Sequence, residues 1–225
     1  MTEDVRIDVD GQALQGTLRL PDPLRGVVVF AHGSGSSRHS PRNVQVAQVL
    51  EGAGMGTLLF DLLTAEEERR DAVDASLRFD IGLLARRLTA AVEMVARDPR
   101  VEGVPIGLFG ASTGAAAALV TAADVPVTVR SVVSRGGRPD LAGAALSRVS
   151  AAVLLIVGGR DEQVLALNED AARLLPGEHE LSVVPGATHL FPEPGALDEV
   201  ARRAAEWFAR TLTAASLKPG PGSGS

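Results

Sequence analysis

Short apolar runs alternate with helical patterns along this chain. Gly26 to Ala31 (GVVVFA), Thr57 to Asp61 (TLLFD), Ile106 to Phe109, Val129 to Val133, Val153 to Val157 and Leu181 to Val184 are nearly unbroken runs. Such runs lack the alternation of a half-exposed sheet and predict strands buried on both faces. Val44 to Gly52, Phe79 to Arg97, Gly114 to Ala123, Asn168 to Leu175 and Ala196 to Leu212 predict helices between and after them. In the second of these, Ile81, Leu84, Leu88, Ala91 and Val95 recur at helical spacing, and Asp98-Pro99 ends it. Val5 to Val9 and Ala13 to Leu20 flank Asp10-Gly11, which predicts an N-terminal hairpin. The pattern as a whole predicts an α/β fold: a mainly parallel sheet with helices on both faces. The chain has 225 residues, no internal repeat and no interior linker. One domain over 1–213 is expected, with 214–225 a disordered Gly/Pro/Ser tail, an appended remnant outside the fold.

In such sheets ligands lie beyond the carboxyl ends of the strands. The residues that directly follow the buried runs are therefore the candidates for chemistry. After the third run comes Gly110-Ala111-Ser112-Thr113-Gly114. This G-x-S-x-G lies between an apolar strand and an alanine-rich helix, where a sharp elbow would expose Ser112. The plainer reading is a serine that merely caps a helix. A phosphate loop would need Gly-Lys-Ser/Thr here, and the chain's single lysine is Lys218. A dinucleotide fingerprint would need G-x-G-x-x-G, which this segment lacks.

After the fifth run comes Gly158-Gly159-Arg160-Asp161, and after the sixth Pro185-Gly186-Ala187-Thr188-His189. Of four histidines, only His189 follows Asp161 and sits just past a strand's carboxyl end. The order Ser112, Asp161, His189 fits nucleophile, orienting acid and general base. Asp61, which also ends a buried run, is the rival acid. A turn aspartate and a structural loop histidine are the bland alternatives. Behind the first run, His32-Gly33-Ser34-Gly35-Ser36-Ser37 can present backbone N–H groups to a developing negative charge. Ser34 and Thr113 are the expected oxyanion donors, with Gly35 second to Ser34, and His32 is expected to support the loop. Arg38 and Arg135 are candidates to bind a substrate carboxylate or phosphate. Ion pairing with acids such as Asp140 is the competing reading. The charge-rich Thr64 to Asp74 reads as a solvated loop or helix face.

Composition narrows the classes. The net charge of −6 and an aromatic content of 3% with no tyrosine argue against a nucleic-acid partner. No cysteine is present, so disulfides, thiolate metal sites and a cysteine nucleophile are ruled out. No signal peptide and no membrane span are expected, which fits a cytoplasmic protein. No metal and no cofactor is required by these residues. The oligomeric state stays open.

Four motifs in order are similar to the dienelactone hydrolase-like branch of the α/β-hydrolases: HGSGSS after GVVVFA, GASTG after PIGLF, GGRD after VLLIV, and PGATH before LFPEPG. The similarity runs from about Val5 to Leu212. It resembles most a group of small bacterial hydrolases that also occur fused to phosphoribosyltransferase domains. The resemblance implies an α/β-hydrolase fold without a large cap, with Ser112, Asp161 and His189 as triad. The namesake enzymes use a cysteine nucleophile, whereas Ser112 stands here. The expected activity is thus hydrolysis of small carboxylic esters through an acyl-enzyme, on a small-molecule substrate. Acyl transfer, another hydrolysis, or a non-catalytic binding role on the same scaffold are the alternatives. Glu66 to Arg78 is the candidate for a small flap.

Overall fold

A computed structural model describes residues 1–213. The tail expected at 214–225 lies outside the described residues. The chain runs β1 (Thr2–Val9), β2 (Gln12–Arg19), β3 (Gly26–Ala31), α1 (Pro41–Gly52), β4 (Met55–Phe60), α2 (Ala65–Asp74), α3 (Ile81–Ala96), β5 (Ile106–Ala111), α4 (Thr113–Asp124), β6 (Val129–Arg135), β7 (Ala152–Gly158), α5 (Glu162–Ala172), β8 (His179–Val184) and α6 (Ala196–Thr213). Short 3₁₀ segments cover Pro99–Val101 and Pro139–Arg148.

The eight strands form one sheet in the order β1-β2-β4-β3-β5-β6-β7-β8. β1 and β2 pair antiparallel, as do β2 and β4; the other five pairings are parallel. The hairpin turns at Asp10 (φ 52) and Gly11 (φ 72), the two positive φ values of a primed turn.

The unbroken apolar strands sit in the middle because both of their faces are covered. Val27, Val29, Leu58, Leu108, Val132 and Leu155 pack under α3 and α4. Val28, Phe30, Leu59, Phe109, Val133 and Ile156 pack under α1 and α6. Neighbouring residues of one strand thus enter opposite layers, as the pleat requires. In the α6 layer Trp207 is buried, with the Arg210 guanidinium over its ring at 4.4 Å. Among the described residues, no helix is long and apolar enough to cross a membrane.

Two elements differ from expectation. α1 starts three residues before Val44, because Ser40 accepts from the Asn43 N–H and Pro41 opens the helix. Arg42 consequently lies in a helical first turn rather than in loop. The acidic stretch after Thr64 is a helix opened by a capping box, in which Thr64 and Glu67 satisfy each other's backbone N–H. Part of it is not solvated. Asp71 is buried and accepts from the Leu77 and Arg78 N–H groups and from Arg78 Nε. Glu67 accepts two hydrogen bonds at 2.7 Å from the buried Arg87.

Candidate active site

Ser112 joins β5 to α4 with φ 50 and ψ −119, a backbone state that a non-glycine residue rarely adopts. Its surroundings leave little choice. A β-carbon on Gly110 would lie 2.4 Å from Ala115 Cα, and one on Gly114 would lie 2.3 Å from the Ala31 carbonyl oxygen. Only residues without a side chain let strand, elbow and helix approach so closely. The elbow is also tied to β6: Ser112 N–H donates to the Arg135 carbonyl at 3.3 Å, and the Arg138 N–H donates to the Ser112 carbonyl at 3.1 Å.

β6 brings the histidine in as well. A β-carbon on Gly136 would lie 3.5 Å from the His189 ring. His189 Nδ1 pairs with Asp161 Oδ2 at 2.6 Å. Asp161 follows β7 and His189 follows β8, and these strands are neighbours in the sheet. The His189 loop is pinned from below. Thr188 donates to Glu193 Oε1 through its N–H (3.0 Å) and its hydroxyl (2.7 Å), and Phe191 is buried at φ 56. Those Thr188 hydrogen bonds hold the Glu193 carboxyl below its ordinary pKa. Ser112 and His189 thus come to one end of the sheet, although among the described residues no hydrogen bond joins them. The Thr188–Glu193 tie had no sequence signal beyond its spacing.

The loop after β3 approaches the elbow closely. A β-carbon on Gly33 would lie 3.2 Å from Ser112 Cβ. Ser36 N–H closes a turn on the Gly33 carbonyl at 3.2 Å, with Gly35 at φ 63. The Ser34 and Thr113 hydroxyls hydrogen-bond across the gap at 3.1 Å. Thr113 opens α4, where the first N–H groups have no intrahelical acceptor. His32 supports this loop from inside: its ring lies against the Gly33 carbonyl (3.0 Å), and Nε2 accepts from the Leu62 N–H (2.9 Å). Burial pushes its pKa below the ordinary imidazole value, so it stays neutral in place.

The rival Asp61 is engaged elsewhere. It accepts from the Arg38 N–H at 2.8 Å and pairs with the Arg38 guanidinium. Arg38 is thereby committed to an acid. Asp140 takes Arg138, not Arg135. Arg135 is buried and reaches Asn43 Oδ1 at 3.4 Å.

Beside the elbow a cleft of 520 Å³ opens between the loop after β3 and the α2 end of α3. Ser34, Thr113, Arg42, Leu63, Glu68 and Arg78 are among its walls, so residues of the expected flap form one side. Ser112, Asp161 and His189 do not line it. Among the described residues, no three His, Asp or Glu side chains are grouped to hold a metal ion.

An eight-stranded, mostly parallel sheet with its antiparallel hairpin at one edge and no large cap defines an α/β-hydrolase fold. More narrowly, the chain belongs to the dienelactone hydrolase family, whose model matches residues 13–215. It is 54% identical to a crystal structure of dienelactone hydrolase from Anabaena variabilis, with a TM-score of 0.92 over 94% of this chain and 98% of that one. Est1E from Butyrivibrio proteoclasticus has the same fold at 16% identity, with a TM-score of 0.78 over 93% of this chain and 98% of that one. A Mycobacterium tuberculosis protein that carries the provisional name phosphoribosyl transferase is 57% identical over 97% of this chain. The chain spans about half the length of that curated relative, 48%.

Proposed function

We propose that this chain is a serine hydrolase that cleaves small carboxylic esters by two-step acyl transfer. Ser112 Oγ attacks the ester carbonyl while His189 takes its proton. Asp161 holds the imidazole by Nδ1, which leaves Nε2 for the serine. The oxyanion is held by the backbone N–H groups of Ser34 and Thr113, each worth about 3 kcal/mol in the transition state. His189 then returns the proton to the leaving alcohol. Water, activated by the same histidine, cleaves the acyl-enzyme. Attack, proton transfer and charge stabilisation all come from protein groups, so the scheme uses no metal or cofactor. We place the reaction in the cytoplasm, within a single domain over 1–213.

The observation that carries this reading is the meeting of the strained Ser112 elbow and the 2.6 Å His189–Asp161 pair against the Arg135–Gly136 corner. The missing Ser112–His189 hydrogen bond is no obstacle, since such bonds commonly tighten only when substrate binds. The family's hydrolase name supports the same reaction class. The relative named as a phosphoribosyl transferase gives no reason to read phosphoribosyl transfer here, because about half of that protein lies outside the matched region. The deciding experiment is labelling with a fluorophosphonate probe alongside turnover of p-nitrophenyl acetate and butyrate. Both are expected in the wild type and lost in Ser112→Ala. A folded wild type that neither labels nor turns over would overturn the proposal in favour of a binding role.

A further inference from the structure

Among the described residues two arginines are buried, Arg87 and Arg135, and their surroundings differ. Arg87 sits against Glu67 with two 2.7 Å hydrogen bonds and a third to the Leu62 carbonyl at 2.8 Å. Arg135, 6% exposed, pairs with no carboxylate among the described residues. Among the described residues its side chain makes one hydrogen bond, a 3.4 Å contact with the neutral Asn43, and its Nε, like that of Arg87, has no partner. A buried charge left without a counter-charge is costly. The neighbourhood raises that cost. Burial first, then the adjacent positive charge of Arg42, push the Arg135 guanidinium down to about 10.

Arg42 is half-buried, its Nε has no partner, and among the described residues it makes no ion pair. Glu193 and Asp198 share the neighbouring cavity with Arg42 and accept from Thr188 and Gln45, and Glu68 stands on another wall of the 520 Å³ cleft; among the described residues none of the three pairs with Arg42. Arg38 takes Asp61. Arg42 and Asn43 lie in the first turn of the 12-residue α1, so the positive end of that helix dipole adds to the two guanidinium groups. Arg42 also forms part of the 520 Å³ cleft, together with Ser34 and Thr113. The Arg135 carbonyl in turn receives the Ser112 N–H.

We infer that Arg42 and Arg135, with the N-terminus of α1, form an anion subsite beside Ser112 that holds a doubly charged oxyanion of the phosphate-monoester class carried by the substrate. Two uncompensated guanidinium groups and a helix dipole match a dianion better than a single carboxylate. A phosphate monoester carries about −1.5 to −2 at neutral pH and offers three acceptor oxygens to planar donor forks. Arg42 is the contact residue at the cleft, and Arg135 sets the charge behind it. The preferred ester is then one whose acyl or alcohol part bears a phosphate. That preference rests on the esterase reading, whereas anion binding does not.

Calorimetric titration of the Ser112→Ala protein with inorganic phosphate tests the subsite without requiring catalysis. Phosphate is expected to bind, with sulfate close to it and acetate much weaker. Adding Arg42→Gln should weaken phosphate by about ten- to a hundredfold, the range for a charged hydrogen-bonded group. Arg42→Lys, which keeps one charge and loses the fork, should fall between. The active protein is then given 2-acetoxyethyl phosphate and its unphosphorylated counterpart. The wild type should favour the phosphorylated ester in kcat/KM, and Arg42→Gln should lose that preference. No phosphate binding, binding indifferent to Arg42, or acetate binding as tight as phosphate would each overturn the inference. Phosphate bound normally by a protein that the fluorophosphonate fails to label would instead sink the esterase reading and leave the subsite standing.

Discussion

Asp161 does its proposed work through one hydrogen bond, the 2.6 Å contact with His189 Nδ1. That bond selects the tautomer whose Nε2 can accept a proton from Ser112. Asp161→Asn keeps the shape but can donate to Nδ1 and favour the wrong tautomer. kcat on p-nitrophenyl acetate should fall about 10⁴-fold with little change in KM, in a protein of unchanged thermal stability. A loss below tenfold would mean that Asp161 does not orient His189. In the sequence, chain order and strand ends single out Ser112, Asp161 and His189, and Asp61 stays a rival only because it too ends a buried strand. Strand order separates the two aspartates: β7 lies beside β8, while β3, β5, β6 and β7 stand between β4 and β8. The fate of the arginines was equally hidden. Which guanidinium finds an acid depends on side chains that meet only after folding.

At the scale of elements, α2 depends on a contact with α3. Glu67 closes the capping box of its own helix and neutralises Arg87 of the next. The Arg87 hydrogen bonds draw the Glu67 carboxyl down to about 2 from an ordinary 4.5. A carboxyl that holds its proton more weakly folded than unfolded stabilises the fold above about pH 4.5, and that contribution fades as pH falls toward 2. Glu67→Gln should cost about 2 kcal/mol at pH 7, somewhat less than for a fully buried pair because Glu67 keeps some exposure. Urea melts across pH should show the gap to wild type narrowing below pH 4.5, and a gap independent of pH would refute the account. In the sequence this stretch reads as a solvated charge run, since Arg87 lies 20 residues from Glu67. The 3₁₀ stretch Pro139–Arg148 was also illegible: it turns at Gly143 (φ 53) and carries no helical period. By contrast, α3 and α6 were readable from one apolar face each.

For the whole molecule, the proposed triad and the Phe208 contact with β5 lie at opposite ends of the sheet. Ser112, Asp161 and His189 follow the carboxyl ends of β5, β7 and β8. Phe208 of α6 fills the other end, where a β-carbon on Gly107 would lie 2.7 Å from its ring. Phe208→Ala should destabilise by about 3–5 kcal/mol and lower Tm by roughly 10 °C, while kcat/KM well below the transition is retained. Parallel loss of activity at low temperature would show that the two ends are coupled. Alternation of strands and helices made the layered, parallel architecture legible. The order β2-β4-β3-β5 was not, because non-consecutive pairing leaves no local trace in sequence.

The burial of Trp207 has an optical consequence. The chain has one tryptophan and no tyrosine, so its near-ultraviolet absorption and intrinsic emission arise essentially from a single ring on α6, stacked beneath Arg210. An emission trace during unfolding therefore watches the α1/α6 layer let go of the sheet. It is blind to the α3/α4 layer, and what binds beside Ser112 would have to be followed by some other signal.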